Sequence, residues 1–472
     1  MIYSNTPRLE SVKAVANAIG IPFWLDDPAR PNPEPELTQN ISTDLLVIGA
    51  GFTGLWTALF AKEENPSRDI AVVEAGEVAS GATGRNGGFM DASITHGFLN
   101  GISRWPREFS TLYAMGIQNL EEIESTISRL GIDCDYHRVG EIDIATEPYL
   151  LDAFKEIINL AKPYDLGFQY LDKDQIQKIV KSPIFIGGIK RFDSSIVNPA
   201  QLAWGLRKAC LDMGVRIYEN TPVTKLVEQK NHIVAHTAAH GQIRTNKVAL
   251  ATNAFPPLLK RISYYVVPVY DYALMTEPLS LSQRDSIGWH GREGLSDGNN
   301  QFHYFRTTKD GRILWGGYDA VYYWNNGFGP HLENNPASFS RLAEHFFQAF
   351  PQLEGIRFTH AWGGAIDTCS RFSPFWGTAH HGKTAYAMGY TGNGVGSTRF
   401  GARVMLDILD NKNTERTTLE FVRAKPIPFP PEPLRSIGIN FSRWSLAQAD
   451  RNQGRENLWL RAMDWLGLGF DS

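Results

Sequence analysis

Three glycines and one acidic residue stand at a spacing that can bind a dinucleotide. Gly49, Gly51 and Gly54 form a GxGxxG pattern, and Glu74 follows twenty residues after the last of them. The first glycine permits a tight turn, the second lets the backbone approach a pyrophosphate, and the third lets a helix pack closely on a strand. A carboxylate at this distance accepts hydrogen bonds from ribose hydroxyls and repels a 2′-phosphate. The pattern therefore predicts NAD or FAD and disfavours NADP.

A second glycine-rich stretch, SGATGRNGGF at residues 80–89, follows the predicted second strand. Glycine at this density suits a backbone that passes very close to a ligand. The hydroxyl groups of Ser80 and Thr83 can bind phosphate oxygens, and Arg85 can offset phosphate charge or lie near the polar edge of a flavin. An NAD enzyme has no need of such a segment, whereas the longer FAD molecule must pass one to reach its ring. The stretch therefore favours FAD, with a flexible loop as the alternative.

A third glycine cluster, GYTGNGVGST, places Gly392, Gly394 and Gly396 before a predicted helix. The N-terminus of a helix carries partial positive charge. Aimed at the N1/C2 carbonyl edge of a flavin, it would stabilise the negative charge that arises on reduction. A second nucleotide loop is the alternative, but the third glycine does not stand at the spacing that such a loop requires.

The residues of the substrate side are predicted from strand alternation. In QFHYFRTT, Tyr304 and Arg306 share one strand face, and we expect Arg306 to pair with a carboxylate or phosphonate of the substrate. The alternative for Arg306 is a solvated charge near a hairpin. Tyr272, on one face with Tyr270, is expected to line an aromatic cage for an amine, with sheet packing as the alternative. Trp362 is expected to stack near the flavin, with a core position as the alternative.

The elements that must hold these residues can be predicted from the apolar pattern. Residues 44–48 predict a buried parallel strand, Leu55 and Leu59 continue a helix, and Ile70–Val73 predicts the second strand of a βαβ unit. Further strands and a closing strand, glycine turn and helix follow. The predicted fold class is α/β, with a Rossmann-like FAD-binding domain interleaved with a mixed-sheet α+β substrate domain.

The same order of elements predicts how the domains divide. The predicted FAD-binding domain is discontinuous and takes in residues 44–100, 195–255 and 360–412. The predicted substrate domain is also discontinuous and covers residues 101–194 and 256–359.

Two extensions flank these domains. Residues 1–43 are proline-rich, and we expect a surface arm anchored by Phe23 and Trp24, with a disordered leader as the alternative. Residues 413–472 form a C-terminal extension with an amphipathic helix. This helix is expected to pack on its own body, and docking on a partner is the alternative.

Composition narrows the class of protein. The net charge of −4 over 472 residues argues against nucleic-acid binding. Three widely separated cysteines offer no metal spacing and fit a reducing cytoplasm. The sequence contains no run of eighteen apolar residues, so no membrane span is predicted. The N-terminus lacks the features of a signal peptide. The expected partner is a small molecule, and a homo-oligomer is left open.

Together these motifs resemble the FAD-dependent D-amino-acid oxidase superfamily, and within it the γ-glutamylputrescine oxidase-like branch. The resemblance covers roughly residues 40–412 and is carried by GAGFTGLWTAL, GATGRNGGF, VNPAQLAWGLRKACLDMGVRIYENTPV, ALATNAF, TEPL, HYFRTTKDGRILWGG and GYTGNGVGST. It implies oxidation of a carbon–nitrogen bond of an amine or amino acid by hydride transfer to flavin N5. It also implies hydrolysis of the product imine and reoxidation of the flavin by O2, which yields H2O2. A dehydrogenase that uses a quinone or carrier protein, and a non-catalytic flavin-binding subunit, are the alternatives.

The resemblance also implies which residues hold the cofactor. Some relatives attach flavin through a cysteine near the position of Cys369, but the local spacing does not match, so non-covalent FAD is expected. Val223 is expected to touch the adenine side through its backbone. The predicted cofactor-binding residues are Gly49, Gly51, Phe52, Thr53, Gly54, Glu74, Ala75, Ser80, Gly81, Ala82, Thr83, Arg85, Asn86, Gly87, Gly88, Val223, Thr252, Asn253, Gly392, Asn393, Gly394, Val395 and Gly396.

Overall fold

The first glycine pattern lies between strand Ile41–Ile48 and helix Phe52–Glu64 of a computed structural model. The structure describes residues 3–4, 6–239 and 241–468. The strand pairs in parallel on both sides, with Val47 opposite Val72 on one neighbour and opposite Ala249 on the other. A strand enclosed in this way needs a continuous apolar run, which the sequence LLVI supplies.

Parallel strands make up the centre of the first sheet, so their carboxyl ends share one edge. Their order across the sheet is Thr384–Met388, Gln242–Leu250, Ile41–Ile48, Ile70–Val73 and Arg216–Tyr218. Three antiparallel strands complete the sheet, namely Val223–Glu228, Ile233–Thr237 and Phe375–Ala379. Helices Phe52–Glu64 and Ser397–Leu409 both begin at the carboxyl edge and pack against each other. Ligands of open α/β sheets bind at this edge.

The second sheet is mixed. Its nine strands are Glu141–Ala145, Gln169–Leu171, Gly187–Arg191, Val267–Thr276, Gly294–Asp297, His303–Thr307, Ile313–Gly317, Val321–Tyr322 and Phe358–Thr368. The two longest strands pair antiparallel, and Asp271 of one lies opposite Gly364 of the other. A separate pair of short strands consists of Phe89–Asp91 and Ser194–Ile196. The two large sheets confirm the predicted α/β fold class.

Helices cover the sheets and carry the extensions. Within the described residues they are Leu9–Val15, Phe52–Glu64, Phe98–Arg104, Phe109–Leu130, Pro148–Ala161, Lys173–Ile179, Pro199–Asp212, Leu281–Ile287, Pro336–Ala349, Ser397–Leu409, Glu415–Thr418, Glu420–Arg423, Leu434–Arg451 and Leu458–Trp465. None of these helices combines the length and the apolar character needed to cross a bilayer.

The N-terminal segment 8–37, here called the N-terminal strap, lies against both sheets. Near its start, Nε of Arg8 pairs with Oε1 of Glu344 at 3.1 Å. Further along, the backbone N–H of Ile19 donates to the carbonyl of Thr359 at 2.9 Å. The end of the strap reaches the first sheet, where the N–H of Leu37 donates to the hydroxyl of Thr221 at 3.0 Å. The strap is therefore an ordered part of the fold.

The predicted domain division stays a prediction, and two elements bear on it. Strand Phe358–Thr368 belongs to the second sheet by its pairing, although most of it was assigned to the FAD-binding domain. Helix Phe109–Leu130 packs on Ser397–Leu409 beside the first sheet, and its Asn119 donates to the carbonyl of Gly396 at 2.9 Å.

The C-terminal extension folds into two longer helices, Leu434–Arg451 and Leu458–Trp465. Residues 469–472 of the predicted C-terminal extension lie outside the described residues. The same holds for 1, 2 and 5 of the N-terminal extension and for 240.

Candidate active site

The first glycine turn is shaped by contacts that exclude side chains. Gly49 has a φ of +103°, which L side chains rarely adopt. A Cβ at Gly54 would collide with the carbonyl oxygen of Gly49, so a methyl group there would push the helix off the strand. Glu74 accepts hydrogen bonds from the N–H groups of Ala50 at 2.7 Å and Gly76 at 3.0 Å. Its carboxylate is fixed beside the turn, where it can also accept a bond from a ribose hydroxyl.

The second glycine-rich stretch is held by hydrogen bonds around Asn86. Its side-chain N–H group donates to the carbonyls of Ala82 at 3.1 Å and Thr83 at 2.7 Å. Its side-chain oxygen accepts from the N–H of Gly88 at 2.8 Å, and its backbone carbonyl accepts from the indole of Trp24 at 2.8 Å. The stretch is therefore pre-formed, in contrast to a flexible loop.

The glycines of this stretch make room for protein atoms, which the sequence did not indicate. A Cβ at Gly87 would lie 2.9 Å from ring atoms of Phe89 and Tyr304. A Cβ at Gly88 would lie 2.6 Å from Nη1 of Arg306. Glycine is needed here for close packing of the chain on itself as well as for access by a ligand.

Arg85 links the same stretch to the second sheet. Its Nε donates to the carbonyl of Ser80 at 2.9 Å and its Nη1 donates to the carbonyl of Gly363 at 3.0 Å. Nη1 also pairs with Glu333 at 2.7 Å. Trp362 is almost fully buried, and its indole N–H donates to the backbone carbonyl of Arg85 at 2.9 Å. Trp362 thus positions this backbone at the cavity wall.

The third glycine cluster leads into helix Ser397–Leu409. Gly392 has a φ of +90°, so the turn needs a glycine. Asn393 fixes the turn by donating to Oδ1 of Asp91 at 3.2 Å and to the carbonyl of Ser93 at 3.1 Å. The helix N-terminus reaches the same cavity as the other two glycine clusters.

A cavity of about 1470 Å³ connects the three clusters. Pockets for one small molecule commonly measure about 300–1,000 Å³, so this cavity has room for a dinucleotide and a second molecule. The predicted cofactor-binding residues that line it are Gly49, Gly51, Phe52, Thr53, Glu74, Ala75, Gly81, Ala82, Thr83, Arg85, Asn86, Gly87, Val223, Thr252, Asn253, Gly392, Asn393, Gly394 and Val395. The predicted residues that do not line it are Gly54, Ser80, Gly88 and Gly396.

The residues present fit FAD. The hydroxyl of Thr252 is buried at the carboxyl edge of the first sheet and has no hydrogen-bond partner among the described residues, so it can bond a ligand. Gly51 precedes helix Phe52–Glu64, and the free N–H groups at the start of this helix suit a pyrophosphate. Glu74 would hold the ribose, Val223 would lie at the adenine end, and the helix after Gly396 would face the flavin.

The wall opposite the first sheet carries a buried acid and a tyrosine. The hydroxyl of Tyr304 donates to Oδ2 of Asp271 at 2.7 Å, and both residues line the cavity. Burial raises the pKa of the Asp271 carboxyl to about 6. Strand alternation places Asp271 on the opposite face from Tyr270 and Tyr272, and the sequence pattern favours the tyrosine face for the substrate.

Tyr272 contacts the cavity wall but directs its hydroxyl elsewhere. Its OH lies 2.8 Å from the hydroxyl of Tyr323 and donates to the carbonyl of Leu332 at 2.9 Å. Its ring packs edge-on against Phe339 in the core of the second sheet. These contacts give Tyr272 a packing role in the sheet. Tyr272 also lines the cavity beside Asp271, so its role toward the substrate stays a prediction.

Arg306 does not line the cavity, in contrast to the expectation that it faces a substrate. It is fully buried, and its Nη1 donates to the carbonyls of Gly88 at 3.0 Å and Val197 at 2.7 Å. Its guanidinium lies 5.4 Å from the ring centre of Trp24. Burial lowers its pKa to about 9. Arg306 shares a strand face with Tyr304 as predicted, but Gly88 and Val197 cover it.

The cavity wall is acidic. Among the described residues, the lining carboxyl groups belong to Glu74, Asp91, Glu141, Asp143, Asp271, Asp297, Asp319 and Asp367. The lining arginines are Arg85, Arg191, Arg435 and Arg443. Burial raises the pKa of Asp91 to about 6 and the pKa values of Glu141 and Asp367 to about 7. Burial disfavours the charged form of these carboxyl groups. Glu141 and Asp143 have Arg191 as a cationic partner and Asp319 has Arg341, whereas Asp271 is hydrogen-bonded to the Tyr304 hydroxyl and the Tyr272 N–H.

The lining arginines already have partners. Arg191 pairs with Glu141 at 3.0 Å and with Asp143 at 3.2 Å. Arg435 donates to the carbonyl of Pro430 and Arg443 donates to the carbonyl of Ala320. Together with the pairing of Arg85 described above, these contacts leave the wall better suited to a cation than to an anion.

Cys369 lines the cavity with a thiol in an unreactive setting. Its Sγ donates to the carbonyls of Ser373 at 3.2 Å and Gly389 at 3.4 Å. Burial raises its pKa, which disfavours the thiolate that a covalent link requires. This setting is consistent with non-covalent FAD.

Fold and site together define an FAD-dependent oxidoreductase. Residues 44–408 match the DAO family model, described as FAD dependent oxidoreductase. The chain belongs to this family, and the predicted resemblance, cofactor and enzyme class are confirmed.

Curated relatives and solved structures agree with this assignment. The chain is 30% identical to a probable oxidoreductase OrdL of Haemophilus influenzae over 79% of this chain and 84% of that protein. It is 28% identical to the gamma-glutamylputrescine oxidoreductase of Escherichia coli over 84% and 90% of the two chains. The crystal structure of glycine oxidase from Geobacillus kaustophilus superposes with a TM-score of 0.68 at 17% identity, over 82% of this chain and 99% of the other. The last likeness shows that the two chains share a fold.

Proposed function

We propose that this enzyme oxidises the carbon–nitrogen bond of a cationic amine. The observation that carries the proposal is the acidic wall of the cavity, where Asp271 and Tyr304 lie on the strands opposite the FAD-binding edge. The name of the Escherichia coli relative identifies γ-glutamylputrescine as that enzyme's substrate, an amine that also carries the carboxylate of its glutamyl group, so it supports the amine part of this proposal. A substrate with an acidic end is disfavoured, because each lining arginine already bonds a carboxylate or a carbonyl.

In this proposal, Asp271 binds the substrate ammonium group and accepts its proton. Loss of the proton exposes the nitrogen lone pair, which assists departure of hydride from the neighbouring carbon. Tyr304 fixes the carboxylate through its 2.7 Å hydrogen bond. Bound FAD supplies the hydride acceptor at N5. The imine product is then hydrolysed by water.

The electron acceptor in this proposal is O2, which yields H2O2. A dehydrogenase that reduces a quinone or a carrier protein is the second candidate. It is favoured by one observation: the cavity is lined by Leu434 and Ile437, which are also exposed to solvent. An apolar opening of this kind suits an apolar acceptor.

We place the enzyme in the cytoplasm. Cys134, Cys210 and Cys369 are all free and buried. Unpaired thiols are typical of proteins kept in a reducing compartment. Cell fractionation with a periplasmic marker tests the location, and recovery of the chain with that marker would contradict it.

The visible spectrum under anaerobic conditions tests the proposed reaction. Purified holoenzyme is mixed in turn with aliphatic diamines and monoamines, and with amino acids of matched length. Bleaching of the flavin band by the amines and not by the amino acids is the expected result. Bleaching by amino acids alone would contradict the substrate class, and no bleaching by any of them would favour the non-catalytic flavin subunit. Hydrogen peroxide measured per amine consumed then separates the oxidase from the dehydrogenase.

A further inference from the structure

The two C-terminal helices leave an apolar surface uncovered. Helix Leu434–Arg451 exposes apolar side chains at intervals of three and four residues, which places them on one face. The second helix adds two more, and the surface they form is here called the C-terminal apolar face. Its residues are Leu434, Ile437, Phe441, Trp444, Leu458 and Trp465.

The inner sides of the same helices are already used for packing. The indole N–H of Trp459 donates to the hydroxyl of Ser442 at 2.9 Å, and Asn457 donates to the hydroxyl of Ser445 at 2.8 Å. Leu460, on the second helix, is buried. The inner sides are therefore occupied, and the exposed apolar residues form a surface that begins at the cavity, which Leu434 and Ile437 line.

Basic residues lie on the same faces. Arg451 follows Trp444 by seven residues on the first helix, and Arg461 lies between Leu458 and Trp465 at helical spacing on the second. Both arginines are exposed, as is Arg455 in the connecting loop. Residues 434–468 contain five arginines and three acidic residues, whereas the whole chain carries a net charge of −4. This segment therefore has a net charge of +2, opposite in sign to that of the whole chain.

We propose that the C-terminal apolar face docks on a lipid bilayer with anionic headgroups. Amphipathic helices with tryptophan, phenylalanine and leucine on one side and arginine beside them are typical of segments that lie in a membrane interface. Tryptophan favours this region, where its ring is apolar and its N–H is polar. Arginines near an anionic surface add to the attraction.

A second copy of the chain is a weaker occupant for this face. A two-fold interface brings the same surface of both subunits together. Arg451, Arg455 and Arg461 would then face the same arginines of the other copy, and such like-charge contacts are unfavourable. An anionic headgroup layer has the opposite charge, so it fits better.

Docking would bring the cavity to the membrane surface. Leu434 and Ile437 belong to the C-terminal apolar face and also line the cavity. A bilayer seated on this face would therefore lie next to the cavity opening. The docking proposal does not depend on which amine is oxidised.

Vesicle flotation tests the proposal with the full-length holoenzyme. The vesicles contain phosphatidylcholine alone or a mixture with phosphatidylglycerol. We expect the enzyme to float with the anionic vesicles and to remain at the bottom with the neutral ones. The double variant Leu458→Ser/Trp465→Ser should lower the partition coefficient about tenfold or more, because both side chains lose apolar burial. Leu458 and Trp465 are 84% and 85% exposed, so the fold does not depend on them.

The matched control is Leu281→Ser, at a leucine that is 78% exposed on another helix. It should float like the wild type, and the flavin absorbance of all variants reports that they are folded. Absence of flotation with anionic vesicles, or equal flotation with neutral ones, would overturn the proposal. If light scattering instead shows a dimer that Leu458→Ser/Trp465→Ser dissociates, and no vesicle binding occurs, the face belongs to a second copy.

Discussion

The indole N–H of Trp24 donates a 2.8 Å hydrogen bond to the backbone carbonyl of Asn86. Trp24 lies in the N-terminal strap, outside the range 44–408 that matches the family model. Asn86 lies in the glycine-rich stretch that lines the cofactor cavity. The face of the same indole ring covers Arg306, which holds the carbonyl of Gly88. One side chain from outside the family match therefore supports the cofactor-binding stretch at two points.

Replacing Trp24 by phenylalanine should weaken FAD binding. The ring remains, but the carbonyl of Asn86 loses its buried donor, which costs about 1–3 kcal/mol. We expect the Kd for FAD to rise about tenfold, since 1.4 kcal/mol corresponds to a factor of ten. Quenching of flavin fluorescence during titration of the apoenzyme measures it. Trp324→Phe, at an exposed tryptophan, is the control. An unchanged Kd for Trp24→Phe would show that the bond does not support the site.

Replacing Gly54 by alanine should destabilise the FAD-binding fold. The new Cβ collides with the carbonyl of Gly49 and lies 3.2 Å from Val47, and overpacking of this kind costs about 1–3 kcal/mol or more. Denaturant unfolding followed by circular dichroism should show a lower midpoint. Gly20→Ala is the control, because no atom lies within 4 Å of a Cβ there. Equal midpoints for the two variants would contradict the contact.

Replacing Asp271 by asparagine should reduce kcat/KM for a cationic amine. The charge-assisted hydrogen bond that is lost is worth about 1.5–3 kcal/mol, so a fall of about 10- to 100-fold is expected. The pH profile provides a second readout. Since Asp271 must be ionised to bind the ammonium group, kcat/KM should rise as pH increases through about 6, and the variant should lack this rise. If the variant keeps both the wild-type kcat/KM and its rise with pH, Asp271 does not bind the substrate.

Tyr304→Phe is the companion test for the same pair. The hydrogen bond from Tyr304 lowers the pKa of Asp271, opposing the effect of burial. Removal of this hydrogen bond should shift the rise of kcat/KM to higher pH, but the rise itself should remain. A profile that stays where it was would mean that the hydroxyl does not act through Asp271.

Replacing Arg306 by glutamine should change stability and leave substrate choice alone. Two buried carbonyls, those of Gly88 and Val197, lose a charged donor, so the free energy of unfolding should fall by about 2–4 kcal/mol. The ratio of kcat/KM for an amine and its carboxylated analogue should equal that of the wild type. A higher ratio, caused by a loss of kcat/KM for the carboxylated analogue alone and with stability unchanged, would show that Arg306 binds the substrate.

The local parts of the site could be predicted because their signals are local. The run at Ile70–Val73 is apolar and short enough only for a strand, and it is observed at those residues. A Cβ at Gly54 would collide with Gly49, which lies only five residues earlier in the chain. The spacing of the two glycines in the sequence is therefore enough to explain why glycine is needed there. The fold class follows from such units, because a βαβ unit imposes parallel pairing.

The substrate side could be predicted only in part because it depends on distant neighbours. Alternation correctly places Tyr304 and Arg306 on one face. The residues that cover Arg306 are 218 and 109 positions away, at Gly88 and Val197. Asp271 stands as a single acid in an apolar strand, which is a usable signal for a buried functional carboxyl. The periodicity of the C-terminal extension predicts a helix, but it does not indicate that this helix lies at the cavity.

The N-terminal strap has a consequence for how the chain is assembled during synthesis. Arg8, Ile19 and Asp26 contact Glu344, Thr359 and His360, each more than 330 residues later in the chain. The strap residues must therefore wait until residues 344–360 have been translated before they can contact these partners. During that interval the strand that will carry Tyr304 can form without Trp24 in place. The strap therefore docks only after residues 344–360 are available, whereas helices Ser397–Leu409 and Leu434–Arg451, which also line the cavity, are translated later still.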